Sequence, residues 1–308
     1  MLDPDTFLTT LYVMVDDFAK AFLPVEVRPG PQPSLGRSEV VTLAVFSQWA
    51  HFQSERDFYR WGARHLRPAF PTWPAREQLN RQVRRHAASI TAFFLHLAGR
   101  LGARDSAYEA LDATALVVRD SSRRGRGWLC GQADIGWSNR LGWYEGLHLL
   151  LAVSPAGVIT GCGLAPASTK DQPMAETFFA ARHVAAPALG SAGAKSPAPY
   201  IMDKGFEGYE LHQHWFGDYG AAVICLPKRN SLKPWPRSLR RFVAGARQIV
   251  ETVNAKLHHA FRLSRERPHA LSGAQARVAA KVALHNFCIW LNRRLGRPGL
   301  AFADLVDW

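Results

Sequence analysis

The 308-residue chain is long enough for one large domain or two, and its 47% hydrophobic content, with 10 Trp and 17 Phe, excludes a disordered polypeptide. A formal net charge of +13 draws polyanions, of which nucleic acid is the usual one; a merely basic enzyme is the alternative reading. Four scattered cysteines, Cys130, Cys162, Cys225 and Cys288, contain no CxxC pair and so argue against a zinc ribbon or a disulfide framework.

The first hundred residues read as helices. Asp3-Pro4 is an N-cap followed by proline at the first helical position, opening an amphipathic run to about Leu23. The Pro/Gly-rich break Arg28–Pro33 ends it. A second helix is expected over Ser38–Phe52, and Ser54 with Asp57 three residues on caps a third. Pro68, Pro71 and Pro74 then precede one long helix, Ala75–Leu101, opened by Arg76, Arg81, Arg84 and Arg85. After Gly102 the pattern turns to strands: Ala107–Val118, Tyr144–Val153 and, past the turn Ser154–Gly157, Val158–Leu164. A helix from Asp171 to about Val184 leads into an Ala/Gly/Ser/Pro-rich stretch, Ala186–Pro199, expected as a surface loop. Strand Tyr200–Met202, helix Tyr209–Phe216 and strand Ala221–Leu226 follow, and helices Leu239–Phe261 and Ser272–Leu295 close the chain. A three-stranded meander followed by helix, strand, helix, strand, helix predicts an α/β fold of the ribonuclease H-like kind. That is a mixed sheet with flanking helices, preceded by an all-helical N-terminal region. The corresponding divisions are 1–104, 105–296 and a tail, 297–308.

Two acids interrupt apolar strands. Asp112 lies in Ala110-Leu111-Asp112-Ala113-Thr114, and Asp203 follows Tyr200-Ile201-Met202. A carboxylate buried in such a segment needs a cation, a donor or a metal, unless it merely caps a loop at the strand end. A third acid, Glu251, sits on the penultimate helix. On a helical wheel Phe242, Ala246, Ile249, Val250, Val253 and Leu257 share one face, and Arg247, Glu251, Asn254 and His258 line the opposite one. Any amphipathic helix carries such a Glu, and Arg247 four residues earlier reads equally as its ion-pair partner. Together, two strand aspartates and a helix glutamate match what phosphodiester chemistry requires of a protein. Two divalent ions about 3.5–4 Å apart take a few carboxylates and leave room for substrate phosphate.

These segments resemble bacterial insertion-sequence transposases of the DDE type. The similarity runs through Leu111-Asp112-Ala113-Thr114, Gly146-Leu147-His148-Leu149, Thr169-Lys170-Asp171-Gln172, Met202-Asp203-Lys204-Gly205-Phe206 and Arg247-Gln248-Ile249-Val250-Glu251-Thr252. Ser38-Glu39-Val40-Val41 and Leu79-Asn80-Arg81 resemble the helical region of the same group, so the likeness spans about Leu35 to Leu295. The intervals fit (203 − 112 = 91 and 251 − 203 = 48), the second leaving no room for a large insertion before the glutamate. The resemblance implies that Asp112, Asp203 and Glu251 form a catalytic, metal-binding triad for two Mg²⁺ (or Mn²⁺) ions. It also implies basic contacts to DNA from Arg247 and Lys256. The chain departs from the pattern twice: Gly146 stands where many relatives carry lysine, and Val243 lies in the region where some carry a tyrosine.

The function implied is DNA transposition: binding of terminal inverted repeats, strand cleavage and strand transfer into target DNA. The partners would be double-stranded element ends and target, with at least a homodimer on DNA. A nuclease of the same fold that only hydrolyses, and an inactive transposase-derived DNA-binding protein, are the alternatives. Lys204 lies near enough in sequence to Asp203 to contact phosphate. Arg119, Arg123, Arg124, Arg126 and Arg140 occupy a Gly/Ser/Trp-rich loop expected to grip DNA, and Arg81 and Arg84 belong to a helix that either reads the element ends or is a solvated face. Trp128, Trp137 and Trp143 either stack on an unpaired base or pack over the sheet, and His148 reads as a satisfied core histidine. The acidic start Met1–Asp5 is unlike a signal peptide, and no apolar run approaches membrane-spanning length. A soluble, cytoplasmic protein, associated with the nucleoid when bound to DNA and with no membrane partner, is expected.

Overall fold

Asp3 caps the first helix as its place before Pro4 requires: its Oδ1 accepts from the Thr6 amide at 2.9 Å. The computed structural model describes residues 1–26, 30, 33–119, 129, 131–138, 141–183, 198–227 and 235–308. It divides the chain into two compact units. One comprises Met1–Leu101, Lys256–Leu263 and Pro268–Trp308; the other comprises Gly102–Ala255 and Ser264–Arg267.

The first unit is helical. Helix α1 (Pro4–Phe22) buries Phe7, Leu11, Val15 and Phe18 at helical spacing. Helix α2 (Arg37–Phe46) stops six residues before the expected Phe52. Beyond its end the Arg262 guanidinium donates to the carbonyls of Ser47 and Phe52. Helix α3 (Glu55–His65) carries the Ser54 cap, which accepts from the Asp57 amide at 3.1 Å. The single helix expected over Ala75–Leu101 is two, α4 (Arg76–Arg85) and α5 (Ala87–Arg100). The backbone leaves helical geometry at His86 (φ −93°, ψ 15°), whose ring is buried with Nδ1 3.8 Å from Glu26. No proline or glycine marks that break. Both segments pack on the last helix, α9 (Leu271–Arg294), which is buried on all sides from Ala279 to Ile289. Its Lys281 is tolerated there because Nζ donates to Gln48 Oε1 at 2.8 Å and to the Phe261 carbonyl at 2.6 Å. The chain's ends are tied together: Leu2 N donates to the Leu305 carbonyl and Asp307 N to the Leu2 carbonyl.

The second unit is built on a mixed sheet. Its strands are β1 (Glu109–Arg119), β2 (Asp134–Ser138), β3 (Gly142–Val153), β4 (Ile159–Pro166), β5 (Tyr200–Met202) and β6 (Val223–Cys225). One edge of β3 pairs antiparallel with β1, and the other pairs with β2 over Gly142–Gly146 and with β4 over Leu147–Val153. β5 and β6 continue the sheet in parallel beyond β1. This is the mixed ribonuclease H-like sheet. Strand β2 lies inside the basic segment expected to be one loop. Five residues with a central glycine carry too little alternation to read as a strand, and pairing with β3 supplies what propensity does not.

Helices α6 (Asp171–His183) and α7 (Tyr209–Tyr219) cover one face, where Leu111, Leu150, Met174, Phe179, Tyr200 and Trp215 form the core. An Arg182–Glu109 pair at 2.8 Å fastens α6 to β1. The opposite face receives α8 (Arg237–His259) through Ile201, Val243 and Ala246. The expected surface loop Ala186–Pro199 lies almost wholly outside the described residues, as do Arg28, Trp128 and Cys130.

Candidate active site

Strand alternation decides which acids meet. In β1, Leu111 and Ala113 pack into the core beneath α6 and α7, so Asp112 between them points to the face that α8 covers. In β5, Tyr200 and Met202 enter that same core while Ile201 packs on Val243 and Ala246; Asp203 continues the Ile201 side. The register pairs Ala110 with Ile201. Asp112 and Asp203 therefore lie two residues farther along neighbouring strands spaced about 4.8 Å apart.

Helix α8 brings the third acid and a cation. Its buried stripe is Val243, Ala246, Val250 and Val253, while Phe242 is exposed. The apolar face is thus rotated from the one the wheel proposes: Val243 packs on Ile201, and the Phe242 ring meets Tyr108 edge to face at 6.2 Å. The rotation matters for Arg247. Four residues after Val243 and three before Val250, it stands at the edge of the inward stripe, not on an opposite, solvent-facing one. Its Nη1 meets Asp203 Oδ1 at 2.9 Å, and its Nη2 lies 3.6 Å from Asp112 Oδ2 and 3.5 Å from Glu251 Oε1. One guanidinium joins all three expected acids.

Their environments differ. The Asp112 side chain is 21% exposed, that of Asp203 47% and that of Glu251 59%, so Asp112 bears the desolvation. Burial pushes its carboxyl up to about 6, against the opposing pull of Arg247 and a bond from the Ala113 amide. Asp171, at the start of α6, is also pushed up by burial; His148 opposes the shift and Asp203 adds to it. The sequence reading missed Asp171 as a member of this neighbourhood, since an acid at the first position of a helix looks like ordinary N-terminal charge. It lines a cleft of about 400 Å³ with His148, Lys170, Gln172 and Gly205. The His148 Nδ1–H donates to the Thr169 carbonyl at 3.1 Å, and Gln172 donates to the Gly205 carbonyl at 3.0 Å. Beside them the buried Tyr144 hydroxyl has no hydrogen-bond partner among the described residues.

Three carboxylates suit a hard divalent cation by donor type. Their spacing, however, is the one a guanidinium imposes. Among the described residues no three acidic, histidine or cysteine side chains stand close enough to hold an ion as they are. The donor set fits such an ion by type, and Arg247 stands among its oxygens.

The mixed sheet with helices on both faces, together with the all-helical N-terminal region, is that of a ribonuclease H-like protein. The family profile of the transposase DDE domain matches residues 110–287, which is 178 of 308 positions (287 − 110 + 1), and the chain belongs to that family. Neither a curated protein nor a solved structure matches the chain. The family acts on DNA and in general uses divalent metal ions.

The other candidate residues fall apart from the acids or outside the described chain. Lys204 is exposed in the short 3₁₀ turn after Asp203. Lys256 belongs to the helical unit, where its Nζ lies 5.9 Å from the centre of the Phe302 ring. Arg81 and Arg84 are exposed on α4. Arg123, Arg124, Arg126 and Arg140 lie outside the described residues. Trp137 and Trp143 do not pack over the sheet: they face each other across β2 and β3, edge to face at 5.5 Å, and are 56% and 65% exposed. Gly146 sits opposite an irregularity in β1, where a Cβ would press into the Leu116 carbonyl oxygen. No lysine side chain fits there. Among the described residues, no helix is long and apolar enough to cross a membrane.

Proposed function

We propose that the chain is the DNA transposase of an insertion sequence, binding terminal inverted repeats, cutting the element ends and joining them to target DNA. The observation that carries the reading is the convergence of Asp112, Asp203 and Glu251 on one cationic side chain. In this proposal the three acids bind divalent metal, two Mg²⁺ or Mn²⁺ ions. Bound there, the ions would supply charge stabilisation to the attacking and leaving oxygens of an in-line displacement. Asp112, fixed by its strand and by the Ala113 amide, sets the position of the site. Lys204, Arg247 and Lys256 contact the phosphates, with Arg123, Arg124 and Arg126, while Arg81 and Arg84 on the helical region (1–104) contribute to end recognition. In cleavage, water adds to the scissile phosphorus and the P–O3′ bond breaks, leaving a 3′-hydroxyl and a 5′-phosphate. In joining, that hydroxyl attacks a target phosphodiester and a new 3′-hydroxyl departs. Both element ends must be held together, so the working form is a homodimer or larger assembly on DNA, in the cytoplasm.

The test is a strand-transfer assay with end-labelled element termini, a supercoiled target and Mg²⁺. Joined product is expected. Cut ends without joining would show a hydrolytic nuclease, and end binding without cutting would show a DNA-binding descendant; either removes the transposase reading.

A further inference from the structure

Arg247 serves three carboxylates with one charge. Its guanidinium is held by oxygens of Asp112, Asp203 and Glu251, while its buried Nε has no hydrogen-bond partner among the described residues. The acids outnumber the cation, and Asp171 adds its field to those of Asp112 and Asp203. A surplus of negative charge around a long, rotatable side chain invites replacement by a cation of higher charge. A divalent ion held by the same oxygens would repel the guanidinium that now binds them. The side chain has one other class of partner within the proposed chemistry, a phosphate diester oxygen, which a guanidinium binds through the same paired donors.

We propose that Arg247 is an exchangeable counter-ion: divalent metal displaces it from Asp112, Asp203 and Glu251, and the freed guanidinium binds a DNA phosphate. The inference rests on the metal-binding reading of the triad and adds a coupling that the reading does not contain. Metal and DNA each draw on the state in which Arg247 has left the acids. Each therefore tightens the other, reciprocally, through this one side chain.

The test uses the full chain and Mn²⁺, followed by the fall in its free electron paramagnetic resonance signal, with and without a mixed-sequence 30-base-pair duplex. Without DNA, Arg247→Gln removes the competitor, and Mn²⁺ binding is expected to tighten roughly tenfold or more. Arg247→Lys keeps the charge but not the three-way bridge, and is expected to fall between the two. It also serves as the control if the glutamine variant melts early. In the wild type the duplex is expected to tighten Mn²⁺ binding, and in Arg247→Gln that gain is expected to vanish. Equal or weaker Mn²⁺ binding by both variants overturns the exchange while leaving the triad reading intact, provided Asp203→Asn still weakens binding. Absence of Mn²⁺ binding in every variant removes both.

Discussion

Asp112→Asn should make the metal-free protein more stable at neutral pH while abolishing its chemistry. Asp112 ordinarily titrates near 3.8 and is pushed up to about 6 by burial, a rise of about two pH units. At about 1.36 kcal/mol per unit, the ionised side chain therefore costs the fold up to about 3 kcal/mol at pH 7.5. The folded-state value is the raised one, so the protonated form stabilises the fold. That contribution is complete below about pH 4 and is lost as pH rises through about 6. Asparagine keeps the shape and never ionises. In EDTA at pH 7.5 the variant should gain up to about 3 kcal/mol, or several degrees in melting temperature; at pH 4 the two proteins should coincide. Urea melts at both pH values, read with hydrogen exchange at the β1 amides to report the sheet, measure the difference. Adding Mn²⁺ should stabilise the wild type and leave the variant unmoved. A variant that is less stable at pH 7.5, or a gap that does not change with pH, refutes the desolvation account of Asp112.

Glu251→Gln should cut end cleavage by roughly a thousandfold or more while DNA binding in gel shifts is retained; cleavage within tenfold of wild type would remove Glu251 from the chemistry. Gly146→Lys should destabilise the sheet by about 3 kcal/mol or more, because its Cβ collides with the Leu116 carbonyl; a thermal melt within 1 kcal/mol of wild type would contradict the close packing of β3 on β1. The joint variant Trp137→Ala/Trp143→Ala should cost only about 0.5–1.5 kcal/mol, the worth of an aromatic pair already facing solvent; a larger loss would mean the rings are covered. The His214 ring lies 2.9 Å from Glu176 and 3.1 Å from Asp218, and the Glu176 bond raises its pKa above the ordinary histidine value. This link between α6 and α7 should persist below that raised value and fade as pH rises through it. The His214 proton shifts should titrate above 6.5 in the wild type and lower in Glu176→Gln; an unchanged midpoint would dissociate the two residues.

Much of the fold was legible because local rules agree with the tertiary answer. The Asp3-Pro4 and Ser54 caps, the turn Ser154–Gly157 and the apolar strands around Asp112 and Asp203 each carry their signal within a few residues. The DDE assignment was likewise readable from motifs in order, and the family match over residues 110–287 agrees with it. What failed was non-local. Helix α2 ends at Phe46, and the carbonyls of Ser47 and Phe52 beyond it go to Arg262, more than two hundred residues away. The break at His86 has no proline or glycine to announce it, and β2 exists through its pairing with β3.

The site divides in the same way. By itself the sequence determined that one acid lies within an apolar strand, that a second follows another, and that a third lies on a later helix. Tertiary structure decided the rest: that Ala110 pairs with Ile201 and so sets the aspartates side by side, and that α8 turns Val243, not Phe242, into the sheet. That rotation carries Arg247 to the edge of the buried stripe and into contact with all three carboxylates. A helical wheel weighs only the polarity of side chains along one helix. The orientation a helix adopts depends on the shape of the surface it meets, and that surface is built by residues distant in the chain.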